Sequence, residues 1–290
     1  VTTGVAQTTN LKLELALVSV AVGDLDRSRA FYESVLGLTA TGAGASWLTV
    51  GTAERPLVRL CHRPGAKPPP IGATGLYHIA LHLPSRADLA RFVVHAANAR
   101  APLVGFADHR VSEAVYLTDP DGHGLELYHD RPRALWQGRV AQLMTTEPLD
   151  LDSLLSEPAN REGRFTIPAG TTLGHVHLKV ADLPAAVGFY QRVLGLEQMA
   201  SVGKQAAFLA WGGYHHHLGL NTWESRGGQS PPAGSAALVE VELTVEEASL
   251  EPLAQQLERE GVAAVQTEEG LRFADPCGNV WLARPAPQGG

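Results

Sequence analysis

Cysteine is nearly absent: the chain of 290 residues carries two, Cys61 and Cys277. Two thiols exclude a disulfide framework or a thiolate metal cage, and they fit a reducing compartment. Long apolar runs are missing as well. No stretch reaches the about 18 residues that a spanning helix needs, so no membrane partner is expected. Basic clusters are lacking too: 23 Lys and Arg face 30 Asp and Glu, for a net charge of −7. With no Lys/Arg run to track phosphates, nucleic acid is not an expected partner. The opening VTTGVAQTTN has neither a basic segment nor an apolar core. It reads as a frayed tail rather than a signal peptide, and cytoplasm is the expected location. What remains, 44% hydrophobic and 18% charged residues, suits a soluble globular protein. Its length suits about two domains of about 150 residues each.

The chain repeats itself. Residues 24–38 read DLDRSRAFYESVLGL and residues 182–196 read DLPAAVGFYQRVLGL, an offset of 158. A second pair, DPDGHGLELY from Asp119 and DPCGNVWLAR from Asp275, recurs at an offset of 156. Two ordered signatures at nearly one spacing imply a duplicated unit. Each half divides again. Strand-like Leu13–Val22 leads to Asp24 as N-cap, then to a helix whose apolar positions include Leu25, Phe31 and Leu36, with Gly37 as its stop. Short strands at Ser46–Val50 and Leu57–Cys61 complete a βαβββ module. The second module has a strand at Leu76–Leu83, a helix at Arg86–Asn98, and strands at Glu113–Thr118 and Gly124–His129. The third has a strand at Leu173–Val180, a helix at Leu183–Leu194, and strands at Ala206–Trp211 and Tyr214–Asn221. The fourth has a strand at Ala237–Val245, a helix at Glu247–Glu260, and strands at Leu271–Ala274 and Asn279–Ala283. The expected fold is therefore α+β: four βαβββ modules paired into two domains, 11–130 and 171–286. Residues 131–170, proline-containing and weakly periodic, read as a linker, and the N-terminal domain as the structural one.

With these motifs the chain resembles the vicinal oxygen chelate superfamily of glyoxalases, bleomycin resistance proteins and extradiol dioxygenases. The DL…FY…LGL helix and the DPDG-x-x-L-E-L strand are the marks. LYHIALHLPSRADL, GHVHLKVADL and YHHHLGLNTW make it similar to the two-domain catechol 2,3-dioxygenase-like branch. The resemblance implies cupped sheets around a divalent metal, with ligands from first and last strands of modules. A first-strand ligand seven residues before the Asp of the DL pair, or its equivalent, falls on Leu17, His78, His175 and Glu240. The last-strand ligand falls on Glu126 in DPDGHGLELY and on Leu282 in DPCGNVWLAR. In the branch, one His of module three joins a His and a Glu of module four. Neither domain here matches that pattern.

The expected metal set is consequently His175, His216 or a neighbour in the His215–His217 triplet, and Glu240 or Glu242, in the C-terminal domain. His78 and Glu126 form an incomplete alternative in the N-terminal domain. Such 2-His-1-carboxylate sets suit Fe(II), with Mn(II) as a substitute. By the resemblance His216 is either the acid/base residue or a ligand, since an imidazole titrates near neutrality. Of His175 and His177, only one is expected to face the cup.

Each candidate has a plainer reading. Glu240 and Glu242 fit the wet face of an amphipathic strand, and three adjacent histidines fit a solvated edge. Glu126 fits a hydrogen bond to His78. His109 and His123 are expected to position backbone. Asp119, Pro120 and Gly122 are turn residues, and Phe31–Tyr32 and Phe189–Tyr190 core pairs. Trp211 and Trp223 fit either a pocket wall or core. Functionally, the resemblance implies an Fe(II)-dependent extradiol dioxygenase using O2 on a catechol- or hydroquinone-like small aromatic diol. Its rivals are a glyoxalase-like isomerase or lyase with Ni(II), Zn(II) or Mg(II), and a non-catalytic small-molecule binder of the bleomycin-resistance kind. Edge strands of such cups also allow a homo-oligomer.

Overall fold

A computed structural model describes residues 13–158 and 164–286. The tail 1–12, read from sequence as frayed, lies outside the described residues. Four βαβββ modules are present. The first comprises β1 (Leu13–Val22), α1 (Leu25–Ser34), β2 (Thr39–Gly44), β3 (Trp47–Gly51) and β4 (Pro56–His62). The second comprises β5 (Gly75–His82), α2 (Arg86–Asn98), β6 (Leu103–Asp108), β7 (Ser112–Thr118) and β8 (Gly124–Asp130). After short helices α3 (Val140–Leu143) and α4 (Leu151–Leu155), the third has β9 (Thr172–Lys179), α5 (Leu183–Leu194), β10 (Glu197–Val202), β11 (Ala206–Ala210) and β12 (Leu218–Asn221). The fourth has β13 (Leu238–Val245), α6 (Leu250–Arg259), β14 (Ala264–Thr267), β15 (Gly270–Ala274) and β16 (Val280–Pro285).

Local chemistry sets the helix ends. Asp24, Ser85 and Asp182 cap α1, α2 and α5 by accepting the amides of Arg27, Asp88 and Ala185 at 3.0, 3.1 and 2.9 Å. Each accounts for an orphan N–H of a first turn. At the far end of α5, Gly195 adopts φ 65°, the left-handed C-cap that glycine reaches without steric cost.

The sheets do not pair module one with two and three with four. One sheet runs β14-β15-β16-β13-β1-β4-β3-β2, joining modules one and four. The other runs β10-β11-β12-β9-β5-β8-β7-β6, joining modules two and three. The expected pairing of modules one with two and three with four, inside 11–130 and 171–286, is thereby corrected: β5 pairs antiparallel with β9, and β1 with β13, across the middle of the chain. First strands carry the same pattern in every module, so periodicity does not say which pair meets.

The repeated motifs stitch the two sheets together. Tyr32 of α1 donates to Asp119 at 3.1 Å, and Tyr190 of α5 donates to Asp275 at 2.6 Å. Asp121 also accepts from the amide of Gly23 and from Ser28 Oγ at 2.9 and 2.8 Å. Each DP turn therefore docks on the helix of its sequence-adjacent module, which lies on the other sheet. The Tyr of each Phe-Tyr pair is buried in the core, but its hydroxyl is a specific inter-sheet tie. His123 does position backbone: its Nε2 donates to Ala21 O at 2.9 Å.

Residues 131–170 are not a bare linker. Trp136, Leu154, Phe165 and Ile167 are buried, and Trp136 Nε1 donates to Arg131 O at 2.8 Å. Scattered anchors without a period cover the sheets here, a pattern that periodicity does not detect. Among the described residues no helix is long and apolar enough to cross a membrane.

Candidate metal centre

Register brings three side chains together on the sheet of modules two and three. Ala80 on β5 pairs with His175 on β9 and with Glu126 on β8. Side chains in register share a face, and His78, two residues from Ala80, shares it as well. The small side chain of Ala80 leaves room for its flanking neighbours to converge. His78 Nε2 and His175 Nε2 lie 3.0 and 3.1 Å from Glu126 Oε2, and 3.2 Å from each other. All three residues are buried, and they form a group that could hold a metal ion.

The spacing fits that use. Donors about 2.1 Å from one ion and at right angles to one another lie about 3.0 Å apart, the edge of an octahedral face. The charge states fit too. Burial alone would raise the Glu126 carboxyl, but His175 and His78 outweigh it and hold the group well below its usual range. Burial lowers His175 to about 4 against the opposing pull of Glu126. An anionic carboxylate and a neutral His175 imidazole are in their ligating states. Among the described residues, His175 Nδ1 has no hydrogen-bond partner. Packing orients the ring instead, with His216 and Tyr128 at centroid distances of 4.0 and 5.1 Å.

The structure brings His175 of the expected C-terminal set beside His78 and Glu126 of the N-terminal alternative. Module two supplies the His and Glu expected of module four. Glu240 and Glu242 lie on β13 of the other sheet, where the positions matching His175 and Glu126 are Leu17 and Leu282. Arg272 pairs with Glu240 at 2.6 Å, and Arg59 and Arg284 pair with Glu242 at 3.0 and 2.7 Å. The structure does not bring these carboxylates to His175; they neutralise arginines. Glu242→Ala is expected to cost about 2–3 kcal/mol in denaturant unfolding. Loss from a fully buried pair costs about 3–5 kcal/mol, but Arg59 and Arg284 keep 26% and 33% exposure and so recover hydration.

The histidine triplet precedes β12 rather than lying within it, and its members separate. His215 Nε2 donates to Asp130 Oδ1 at 2.8 Å, and in a neutral His215 that leaves Nδ1 to accept from His216 Nδ1 at 2.8 Å. The hydrogen-bond network therefore assigns the free lone pair of His216 to Nε2. His217 points elsewhere and accepts the Trp211 amide at 3.2 Å. Only His216 of the three lines the cavity above the triad. Far from a solvated edge, His215 and His216 are buried.

That cavity, about 790 Å³, also takes in His177, Tyr116 and His109. His177 and His175 both face it, because residues two apart on a strand point the same way. Asn221 Nδ2 donates to His177 Nε2 at 3.1 Å, and Gly219 on the adjacent strand leaves space for the ring. An added Cβ at 219 would meet His177 Cγ at 2.7 Å. His109 is no mere backbone prop. Its Nδ1 donates to Thr145 O, and its Nε2 accepts from Tyr116 Oη, both at 2.7 Å. Tyr116 pairs in register with Glu126, and burial followed by that carboxylate keeps its hydroxyl protonated. This cross-strand position beside Glu126 was the signal that could have found Tyr116. Trp223 joins the cavity wall, whereas Trp211 packs against the core.

Burial also lowers His216 and His177 well below 6.5, and His217 to about 3. The sign of the linkage is clear: unfolded histidines bind protons below about pH 6.5 while the folded ones do not. The metal-free protein should therefore lose stability as pH falls from about 6.5 toward 4. The slope is about 1.4 kcal/mol per pH unit for each such histidine, readable from urea midpoints across that range.

Known proteins bear on this geometry. The sequence model of the glyoxalase/bleomycin resistance protein/dioxygenase superfamily matches residues 14–127 and 172–282. The chain belongs to this superfamily. It is 36% identical over 280 residues to catechol-2,3-dioxygenase of Bacillus subtilis strain 168, covering 92% of this chain and 95% of that protein. Solved structures agree on the fold. A Bacillus subtilis strain 168 crystal structure aligns at TM-score 0.68 and 14% identity, over 95% of this chain and 86% of its own. Glyoxalase I of Zea mays aligns at 0.60 and 16% identity, over 96% and 94%. Superfamily members on this scaffold differ in chemistry, so the site must decide the reaction.

Proposed function

We propose that the chain is an Fe(II)-dependent extradiol dioxygenase, with Mn(II) as a substitute, that opens the ring of a catechol- or hydroquinone-like diol. The observation that carries this reading is the His78–Glu126–His175 face beneath the cavity, in a chain so similar to a catechol-2,3-dioxygenase. A 2-His-1-carboxylate face is the donor set of non-haem Fe(II) oxygenases. When bound, the ion supplies adjacent positions for the two diol oxygens and electronic communication between ring and O2. Both oxygen atoms enter the product, so no external reductant is required.

The chain's own residues do the rest. His216 Nε2 is the cavity's free base and takes a phenolic proton as the diol binds. The Asp130–His215 pair behind it fixes its tautomer. Tyr116, kept protonated, gives its hydroxyl proton to His109 and turns its oxygen lone pairs to the cavity. Tyr77, Phe208 and Trp223 help wall the cavity and limit water. The isomerase reading is less well served, because Glu126, the carboxylate at the centre, is taken up as a ligand. A pure binder would have no use for three converging donors.

The test is anaerobic loading with Fe(II), followed by O2 uptake with catechol. One O2 consumed per ring opened supports the reading. No uptake at one iron per chain refutes it.

A further inference from the structure

The cavity continues past what a bare diol ring fills. Its about 790 Å³ lies in the upper part of the about 300–1,000 Å³ typical of sites for drug-sized ligands. Its long wall is β9, along which His175, His177 and Lys179 alternate onto one face and all line the cavity. The spacing from the first to the last is about 13 Å at about 3.3 Å per residue. Between them the wall is aromatic: Tyr77 and Trp223 pack against His177 at centroid distances of 5.1 and 5.6 Å.

Lys179 closes this wall with a cation. It is half-buried, and among the described residues no carboxylate lies within ion-pairing distance of it. The other charged group on this rim, Glu224, is exposed. A partly desolvated ammonium without a partner favours an anion. Lys179 faces the same cavity as the metal face, one aromatic wall away.

We propose that Lys179 anchors a carboxylate carried on the substrate's side chain, so that the cavity takes a catechol with a short carboxylate-terminated substituent. The ring would lie over the metal face, the linker along His177 and Trp223, and the carboxylate at Lys179. Glu224 on the same rim disfavours a second carboxylate. This inference rests on the ring-cleavage reading for the ring end of the ligand, but not for the carboxylate end.

The experiment compares dihydrocaffeic acid with its neutral amide, by Trp223-dependent fluorescence binding to the Zn(II)-loaded chain and by kcat/KM with Fe(II). A charge-assisted contact predicts that the acid is favoured on the order of 10–100-fold in both. Lys179→Met should bring the acid-to-amide ratio to near one, and Lys179→Arg should keep most of it. An acid-to-amide ratio near one in the unmodified chain overturns the proposal, as does a ratio that survives Lys179→Met. Failure of the two readings is separable. Acid-selective binding without cleavage of any catechol upholds the anchor and sinks ring cleavage; cleavage of both compounds at equal efficiency does the reverse.

Discussion

Replacing Glu126 with Gln is expected to strip the metal and lower ring cleavage on the order of 10³-fold or more, because ligand and metal act as one unit. The substitution keeps shape and removes the one anionic donor of the face. Glu126 is 2% exposed, and its Oε2 lies within about hydrogen-bonding distance of both His78 and His175. Gln offers a neutral oxygen and an N–H₂ that would oppose a cation. Metal content by elemental analysis should fall from near one per chain to a small fraction of that. Glu240→Gln is the informative contrast, since the site first expected from sequence would have used that residue. It pairs with Arg272 on the other sheet, so its loss should leave metal content near one per chain. If Glu240→Gln empties the chain of metal while Glu126→Gln does not, the assignment is inverted.

That contrast marks where sequence reading reached and where it stopped. The helices at Arg86–Asn98 and Leu183–Leu194 were legible to the residue, because caps and a 3.6-residue period coincide there. The outer strands β2, β6, β10 and β14 escaped. They are exposed, glycine-containing or polar, and carry no alternation. The motif spacing located His78, Glu126 and His175 individually. It could not join them, since their meeting depends on β5 pairing with β9, which sets His78 beside His175, 97 residues away in sequence. The same gap misled on Glu240. An acidic residue at a ligand position looks like a ligand until its strand neighbours, Leu17 and Leu282 at the matching places, are seen to be apolar. The expectation that only one of His175 and His177 faces the cup was wrong, because residues two apart on a strand share a face and both line the cavity. Sequence singled out the triplet, but not which member lines the cavity, which is His216. Asp130, which orders His215 and thereby His216, is 85 residues away in sequence.

Replacing His216 with Ala is expected to lower kcat by about 10²–10⁴-fold, the range for loss of a general acid/base, while the metal stays bound. The argument rests on the proton inventory of the chain Asp130–His215–His216. Asp130 is held anionic: burial raises its carboxyl, and His215 outweighs that effect. His215 then donates to Asp130, accepts from His216, and leaves Nε2 of His216 bare. Burial, followed by the neighbouring His175 and His215, keeps His216 well below 6.5. The base is therefore in its working, neutral form at neutral pH, and the acid limb of the kcat profile should lie below 6.5. In the Ala variant that limb should vanish, KM should change much less than kcat, and added imidazole should restore part of the rate. Asp130→Asn should show a milder loss with the limb shifted, since it disturbs the tautomer without removing the base. A competing role is visible in the structure, because His216 also packs on His175 at 4.0 Å. If His216→Ala loses its metal, or keeps kcat within about threefold, His216 serves to hold a ligand in place and the proton must go elsewhere.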